Sequence, residues 1–164
     1  MKIGVISDIH DNIWKLSAAL QVLRQVETVL CCGDLCSPFV VPRLGEGFDG
    51  DIHIVFGNND GDLFRISQQA AKYPHIHLHG EFVSLEIGGQ NFAMTHFDNI
   101  ARELAAGQGF DVVCFGHNHR FEIRREGQTL LINPGEIMGG LSPDQVSSLV
   151  IYDTETGQAQ KVEL

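Results

Sequence analysis

The sequence predicts an α/β fold of two β-sheets packed face to face with helices outside. Its first half alternates short apolar runs with amphipathic segments, the pattern of a parallel sheet joined by crossover helices. Its second half carries three hairpin signals, at Gly88-Gly89, Glu126-Gly127-Gln128 and Thr156-Gly157. The third observation is size: 164 residues, 43% of them apolar, suffice for one buried core without a disulfide or metal staple. No Pro- or Ser-rich tract, charge block or internal repeat divides the chain, so residues 1–164 read as a single domain. Periodicity leaves one alternative open, a single mixed sheet.

The elements follow in order. Residues 2–7 are a short apolar run suited to a buried strand. Ile13, Leu16, Leu20 and Leu23 keep helical spacing with Ala19 on the same side, and Asp11 or Asn12 is placed to cap that helix. Residues 28–32 form a β-rich run ending at Gly33, residues 38–44 a short helix, and residues 52–56 a strand ending at Gly57. A helix at 62–72 stops before Tyr73-Pro74. Strands at 82–87 and 91–95 flank the first hairpin turn, and a short helix at 100–106 leads to an apolar strand at 112–115. Strands at 121–125 and 129–132, then at 147–152 and 160–164, flank the other two turns.

The net charge is −10. That balance disfavours partners held mainly by phosphate-backbone electrostatics, such as long nucleic acid or an anionic membrane. A small phosphate substrate stays compatible, because bound metal ions reverse the charge locally. The first apolar run stops at Asp8, too short for a signal peptide, and no stretch approaches a transmembrane helix in length. Cys31, Cys32, Cys36 and Cys114 match neither a zinc ribbon nor a disulfide scaffold. A soluble, reduced, cytoplasmic protein is expected.

Five polar clusters each follow a strand: Asp8-Ile9-His10, Gly33-Asp34, Gly57-Asn58-Asn59-Asp60, Thr95-His96 and Gly116-His117-Asn118-His119. In open α/β sheets, ligands bind beyond the carboxyl ends of the strands. Asp8, His10, Asp34, Asn58, His96, His117 and His119 make a mixed oxygen and nitrogen donor set, suited to Mn²⁺, Fe or Zn²⁺ rather than Ca²⁺. The set is too large for one transition ion. It suffices for two ions ~3.5–4 Å apart that share a carboxylate, the geometry of in-line phosphoryl displacement. The glycines ahead of Asp34, Asn58 and His117 suit sharp turns and close backbone approach. Taken singly, each cluster reads as a cap or turn; all five in order, each at a strand end, do not.

This ordered set resembles the calcineurin-like metallophosphoesterase superfamily. The short chain, with Asn133-Pro134-Gly135 near its end, is most similar to the small prokaryotic phosphodiesterase branch. The resemblance runs from Asp8 to Gly135 and implies an αββα four-layer sandwich, two mixed β-sheets flanked by helices, with a dinuclear metal centre at one edge. It implies that Asp8, His10 and His119 hold one ion, that Asp34 bridges, and that Asn58, His96 and His117 hold the other. A metal-bridging hydroxide would attack phosphorus in line with the leaving group, and Asn58 would offset charge on the phosphoryl oxygens. The implied ions are Mn²⁺ first, with Fe, Zn²⁺ or Ni²⁺ as alternatives. The implied partner is a small phosphate ester, nucleotides and cyclic nucleotides among the candidates, and a homo-oligomer is compatible with the family.

Three positions depart from the family pattern. Asn59 stands where many relatives carry a proton-donating His, Asp98 where the small branch carries a second His, and Glu136 where that branch carries Ser. Without a general acid, typically worth ~10²–10⁴-fold, esters with good leaving groups are favoured. Asp98 joins Asp34, Asn58 and His96 as a candidate catalytic residue, either as substitute donor or as an outer partner orienting a ligand His. Glu136 would repel a phosphate if it faced the site. The missing histidines support a second reading, a catalytically weak scaffold that binds a protein partner. The complete ligand set argues against it.

Other conspicuous residues read as structural. On a strand, His75, His77 and His79 would point outward while Ile76 and Leu78 point inward. His53 sits within a strand, Cys31 and Cys32 belong to the core, and Cys36 lies close to the ligand loops. Trp14 is expected to pack and Arg120 to be solvated. Substrate identity would reside in the loops at 35–47, 61–66 and 136–144, which carry no readable motif.

Overall fold

The computed structural model describes residues 1–140 and 146–164; the loop stretch 141–144, expected to shape specificity, lies outside the described residues. Strand β1 (Lys2–Ile6) sets the plan, its side chains alternating across the sheet. Ile3 and Val5 join an apolar cluster between two sheets, whereas Ile6 joins one beneath helices. Gly4 faces helix α1 (Ile13–Leu23), where a Cβ would collide with Leu23. The apolar stripe of α1 buries Leu16, Ala19, Leu20 and Leu23 as its spacing requires. Asn12 caps it, accepting from the Lys15 N–H at 3.1 Å, while Asp11 turns to Ser37 and accepts from its N–H at 3.0 Å and its hydroxyl at 2.7 Å.

Strand β2 (Thr28–Cys31), helix α2 (Val40–Gly47), strand β3 (Asp51–Ile54), helix α3 (Leu63–Ala70) and strand β4 (Ile76–Leu78) continue the alternation. Strands β5 (Phe82–Ile87) and β6 (Gln90–Thr95) meet across Gly88-Gly89, and helix α4 (Asp98–Ala106) leads to strand β7 (Val112–Cys114). Strands β8 (Glu122–Glu126) and β9 (Thr129–Asn133), then β10 (Ser148–Asp153) and β11 (Gln158–Glu163), form the remaining hairpins.

Two sheets result, which settles the alternative left open by periodicity. One runs β11-β10-β1-β2-β3-β4, with β1 to β4 parallel; the other runs β5-β6-β7-β9-β8, with β6, β7 and β9 parallel. Three apolar layers separate the four structural layers. Helices α1 to α3 cover the first sheet, Leu30, Cys32, Phe92, Met94 and Ile132 fill the space between the sheets, and Ala101 and Ala105 of α4 pack on Ala93, Val113 and Leu131 of the second. Phe92 meets Tyr152 edge-on across the middle layer at 5.8 Å. Truncating a fully buried Leu30 or Phe92 to Ala would cost about 2–5 kcal/mol.

Four strands that lead into the polar clusters end earlier than expected, whereas β8, β9 and β10 each end one residue later. β1, β2, β3 and β7 each stop one or two residues before the expected end. The residues that complete those apolar runs, such as Ser7, Cys32 and Phe115, already turn into the loops that carry the polar clusters.

Candidate metal centre

All five cluster-bearing loops leave parallel strands at one edge of the sandwich, and the seven expected ligands converge there. Asp8, His10 and His119 form one group whose donor atoms lie within 4.8 Å of one another; Asp8, Asp34 and His96 form another. Asp34 Oδ2 stands 3.3 Å from His10 Nε2 and 3.4 Å from His96 Nε2. Asn58 Oδ1 lies 3.0 Å from His96 Nε2 and 2.8 Å from His117 Nδ1. His119 Nε2 lies 3.3 Å from Asp8 Oδ1.

The backbone is held in unusual conformations to achieve this. Among the described residues, eight non-glycine positions have positive φ, and five of them are Asp8, His10, Asp34, His117 and His119. Each such residue costs on the order of 1–3 kcal/mol, so the surrounding loops must over-determine the geometry. They do: Asp8 N–H donates to Gly33 O at 3.0 Å, His10 N–H to Asp34 O at 3.0 Å, and Gly116 N–H to His96 O at 3.0 Å. The expected close approach is also present. A Cβ at Gly57 would collide with the Asp34 carboxylate, and one at Gly116 with Ser7 and Asp8.

Burial and charge fit a cation. Asp8 and Asp34 are fully buried carboxylates. Asp8 Oδ1 and His10 Nε2 are buried 3.6 Å apart, and neither has a hydrogen-bond partner. Orphaned polar atoms of this kind are costly unless a ligand takes them, and a divalent ion between them would satisfy both. Burial alone would raise the Asp34 pKa, but His10, His96 and Asn59 hold it well below the usual carboxylate range. The carboxylates of Asp34 and then Asp8 hold His10 up, to about 10, in the metal-free chain. His96 is pushed down by burial and carried back above its ordinary value by Asp34 and Asp8. Its Nδ1–H donates to Cys32 O at 2.7 Å, which leaves Nε2 with a lone pair aimed into the centre.

A supporting layer lies behind these groups, and most of it escaped the sequence. Glu136 does not face the site as a repelling charge. It is 1% exposed and places Oε2 2.5 Å from His119 Nδ1. Asn59 donates its backbone N–H to Asp34 Oδ1 and its side-chain amide to Asp34 Oδ2, both at 2.8 Å. Asp60 accepts from the N–H groups of Asp34, Cys36 and Gly57 at 3.1, 2.9 and 2.7 Å, lashing two loops together. Burial raises its pKa despite these bonds. Cys36 Sγ lies 3.5 Å from His10 Nδ1, on the far side of the ring from the carboxylates. Burial pushes that thiol up to about 12, so it stands behind the centre as a neutral thiol.

Asp98 differs from expectation. It sits in the first turn of α4, where its charge suits the helix dipole; the raised pKa of Arg102 comes first from its bond to Glu122, with Asp98 a lesser contributor. Among the described residues it makes no hydrogen bond or ion pair with the centre. Trp14 differs too: it is 79% exposed rather than packed. Arg120 is exposed, and Cys31, Cys32 and Cys114 are buried, as expected. On the edge pair β3 and β4, Ile76 and Leu78 face the helices, and His53 stacks between His77 and His79 at 4.9 and 5.2 Å.

A family model for the calcineurin-like phosphoesterase superfamily domain matches residues 1–157. The chain is 33% identical over 168 aligned residues to the phosphodiesterase MJ0936 of Methanocaldococcus jannaschii, across all of this chain and 99% of that one. The solved structure of a novel archaeal phosphodiesterase superposes on it with a TM-score of 0.91 at 32% identity, over 100% of both chains. Vacuolar protein sorting 29 from Cryptosporidium parvum shares the fold at 20% identity and a TM-score of 0.67, over 99% of this chain and 96% of that one.

Proposed function

The chain belongs to the calcineurin-like phosphoesterase superfamily, and from that premise we propose a phosphodiesterase that works with two divalent ions. Asp8, His10 and His119 would hold one ion, Asn58, His96 and His117 the other, and Asp34 would bridge. The observation that carries this is Asp34 itself, whose Oδ2 stands between His10 Nε2 and His96 Nε2 at nearly equal distances. When bound, the ions supply Lewis acidity toward the phosphoryl oxygens and a water ionised at neutral pH as nucleophile. The mixed donor set accommodates Mn²⁺, Fe, Zn²⁺ or Ni²⁺, and the family resemblance puts Mn²⁺ first.

The chain's own residues divide the remaining work. The carboxylates of Asp8 and Asp34 offset cationic charge. Asn59 fixes the rotamer of Asp34 by gripping both of its oxygens. The bonds from Cys32 O to His96 and from Glu136 to His119 fix those rings with Nε2 facing inward. The Asn58 amide lies beside His96 and His117, placed to meet a phosphoryl oxygen. Neither expected donor is placed to protonate the leaving group: the Asn59 amide is committed to Asp34, and Asp98, in the first turn of α4, makes no bond to the centre among the described residues. Esters whose leaving groups depart as stable anions are therefore favoured.

The net charge of −10 favours a small phosphodiester, a nucleotide or cyclic nucleotide included, over long nucleic acid. No helix among the described residues is long and apolar enough to cross a membrane. Four free thiols accord with a cytoplasmic setting. A scaffold role is not favoured, since a scaffold has little need of strained ligand loops and orphaned donor atoms. The test is turnover of bis-p-nitrophenyl phosphate by chelator-stripped protein with and without Mn²⁺, beside an Asp34→Asn variant. Metal-dependent cleavage lost in the variant is expected. No turnover with Mn²⁺, Ni²⁺, Zn²⁺ or Fe²⁺ in protein shown to bind metal would refute the enzyme reading.

A further inference from the structure

We propose that the centre takes phosphodiesters bearing a flat aromatic substituent, which lies on a collar formed by Trp14, Phe39, Phe64 and Phe97. This rests on the phosphoesterase reading and narrows its substrate class. Trp14, Phe39 and Phe64 are 79%, 51% and 71% exposed. Each stands at the start of a helix that follows a ligand loop: Trp14 in the first turn of α1 after His10, Phe39 just before α2 after Asp34, and Phe64 in the first turn of α3 after Asn58. Parallel β1, β2 and β3 are neighbours, so the three helix starts line the same edge as the ligands.

Bonds between the loops hold the three helix starts in that row. Asp11 accepts from Ser37, Cys36 Sγ touches His10 Nδ1, and Gly61 N–H donates to Cys36 O at 3.3 Å. On the other side of the centre, the Phe97 ring rests on both candidate ligands His96 and His117, with centroids 5.4 and 5.5 Å away. An ester whose phosphorus sits at the ligands must extend its substituents over these surfaces. Two cations beside the helix starts are engaged: Arg65 pairs with Asp62 at 2.6 Å, and Lys15 donates to Leu164 O at 2.9 Å, while Arg120, next to His119, is exposed. At the three helix starts the collar thus offers aromatic faces with their neighbouring cations already engaged, which suits a planar apolar group rather than a further run of phosphates.

The test uses three p-nitrophenyl diesters with a common leaving group, whose retained substituent is methyl, phenyl or the 5′-oxygen of thymidine. In Mn²⁺-loaded protein, kcat/KM for the phenyl or thymidine ester should exceed that of the methyl ester about tenfold, mostly through KM, given the usual strength of base–aromatic stacking. The two arms separate a simple aryl group from a nucleobase. Trp14→Ala, Phe39→Ala and Phe64→Ala should each pull that ratio toward one. Trp14 is the sole tryptophan, so its emission reads the collar directly: thymidine 5′-monophosphate should quench it. Equal kcat/KM for all three esters, with the ratio unmoved by the variants, overturns the proposal. If no ester is turned over, the phosphoesterase reading fails. Quenching would then still support an aromatic-binding collar, and no quenching would overturn it. Emission that shifts with protein concentration alone, together with a dimer in sedimentation, would also overturn it, because a second copy would then cover the collar.

Discussion

Glu136 and His119 form a buried carboxylate–imidazole pair, with Oε2 2.5 Å from Nδ1 and His119 Nε2 turned toward Asp8. Such a carboxylate behind a ligand His fixes its tautomer and strengthens it as a donor, and its loss typically costs ~10–100-fold in metal affinity. Glu136→Ala should weaken one of two Mn²⁺ sites by that amount in a calorimetric titration and leave the other nearly unchanged. Glu136→Gln, which keeps an acceptor for the Nδ1 proton, should lose less. Equal weakening of both sites would contradict the assignment of His119 to one ion.

Metal binding should be coupled to proton release. His10 is held up to about 10 by Asp34 and Asp8, so the metal-free chain keeps it protonated at neutral pH, and an ion must displace that proton. Apparent Mn²⁺ affinity should rise by about tenfold per pH unit between pH 6.5 and 9, with about one proton released. The raised pKa also stabilises the metal-free fold. That contribution is complete below the ordinary value of 6.5 and is lost as pH rises through about 10. Urea midpoints in chelator should therefore fall on the alkaline side, and a His10→Asn variant should show a flatter limb.

Asn59 grips the Asp34 carboxylate through charge-assisted hydrogen bonds. Asn59→Ala removes the side-chain bond and should lower kcat for bis-p-nitrophenyl phosphate by about tenfold. Asn59→Asp places a second negative charge against Asp34 and should be worse than Ala below saturating Mn²⁺. Metal stoichiometry measured alongside turnover separates lost binding from lost positioning. An Asp variant as active as the parent would remove Asn59 from this role.

The histidine stack on β3 and β4 should govern acid stability. Burial, with His79 and His77 beside it, pushes His53 down to about 4. Its Nδ1 meets His79 Nε2 at 2.9 Å. A depressed His contributes stability that is present above 6.5 and lost as pH falls toward about 4. Thermal unfolding of the parent should lose midpoint between pH 6.5 and 4, and His53→Gln should flatten that limb. An unchanged limb would show that protonation elsewhere controls it.

The convergence of the candidate ligands was legible because each chemistry-bearing cluster sits at a strand end, where position in the chain dictates position in space. Asp8, Asp34 and His117 could be placed at one edge from strand order alone. The two-sheet architecture was legible from the switch between alternation and hairpins, although only the strand pairing, with β4 and β5 on the edges of different sheets, separates two sheets from one. Glu136 could not be read, because its partner is set by the segment after β9 crossing back to bond Ser7 and Asp8 through Ile137 and Met138. Asn59 could not be read either, since a neighbour's rotamer decides whether an amide faces solvent or a carboxylate. The exposure of Trp14 ran against its apolar character, and its place at the start of α1, just after a ligand loop, was the available signal.

Bonds at the edge of the sandwich cross from one sheet to the other, among them His117 N–H donating to Asp8 Oδ2 at 3.2 Å and His96 Nδ1–H to Cys32 O at 2.7 Å. Every candidate ligand lies on one side or the other of that seam. Bound ions would thus rivet together halves that otherwise adhere through an apolar layer and a few polar bonds, and stripping them would loosen the sandwich at its open end. Chelation is then a mechanical event as well as a chemical one. Amides at the ends of β1, β2, β6 and β7 should exchange faster in the stripped protein, while the far ends of the same strands hold.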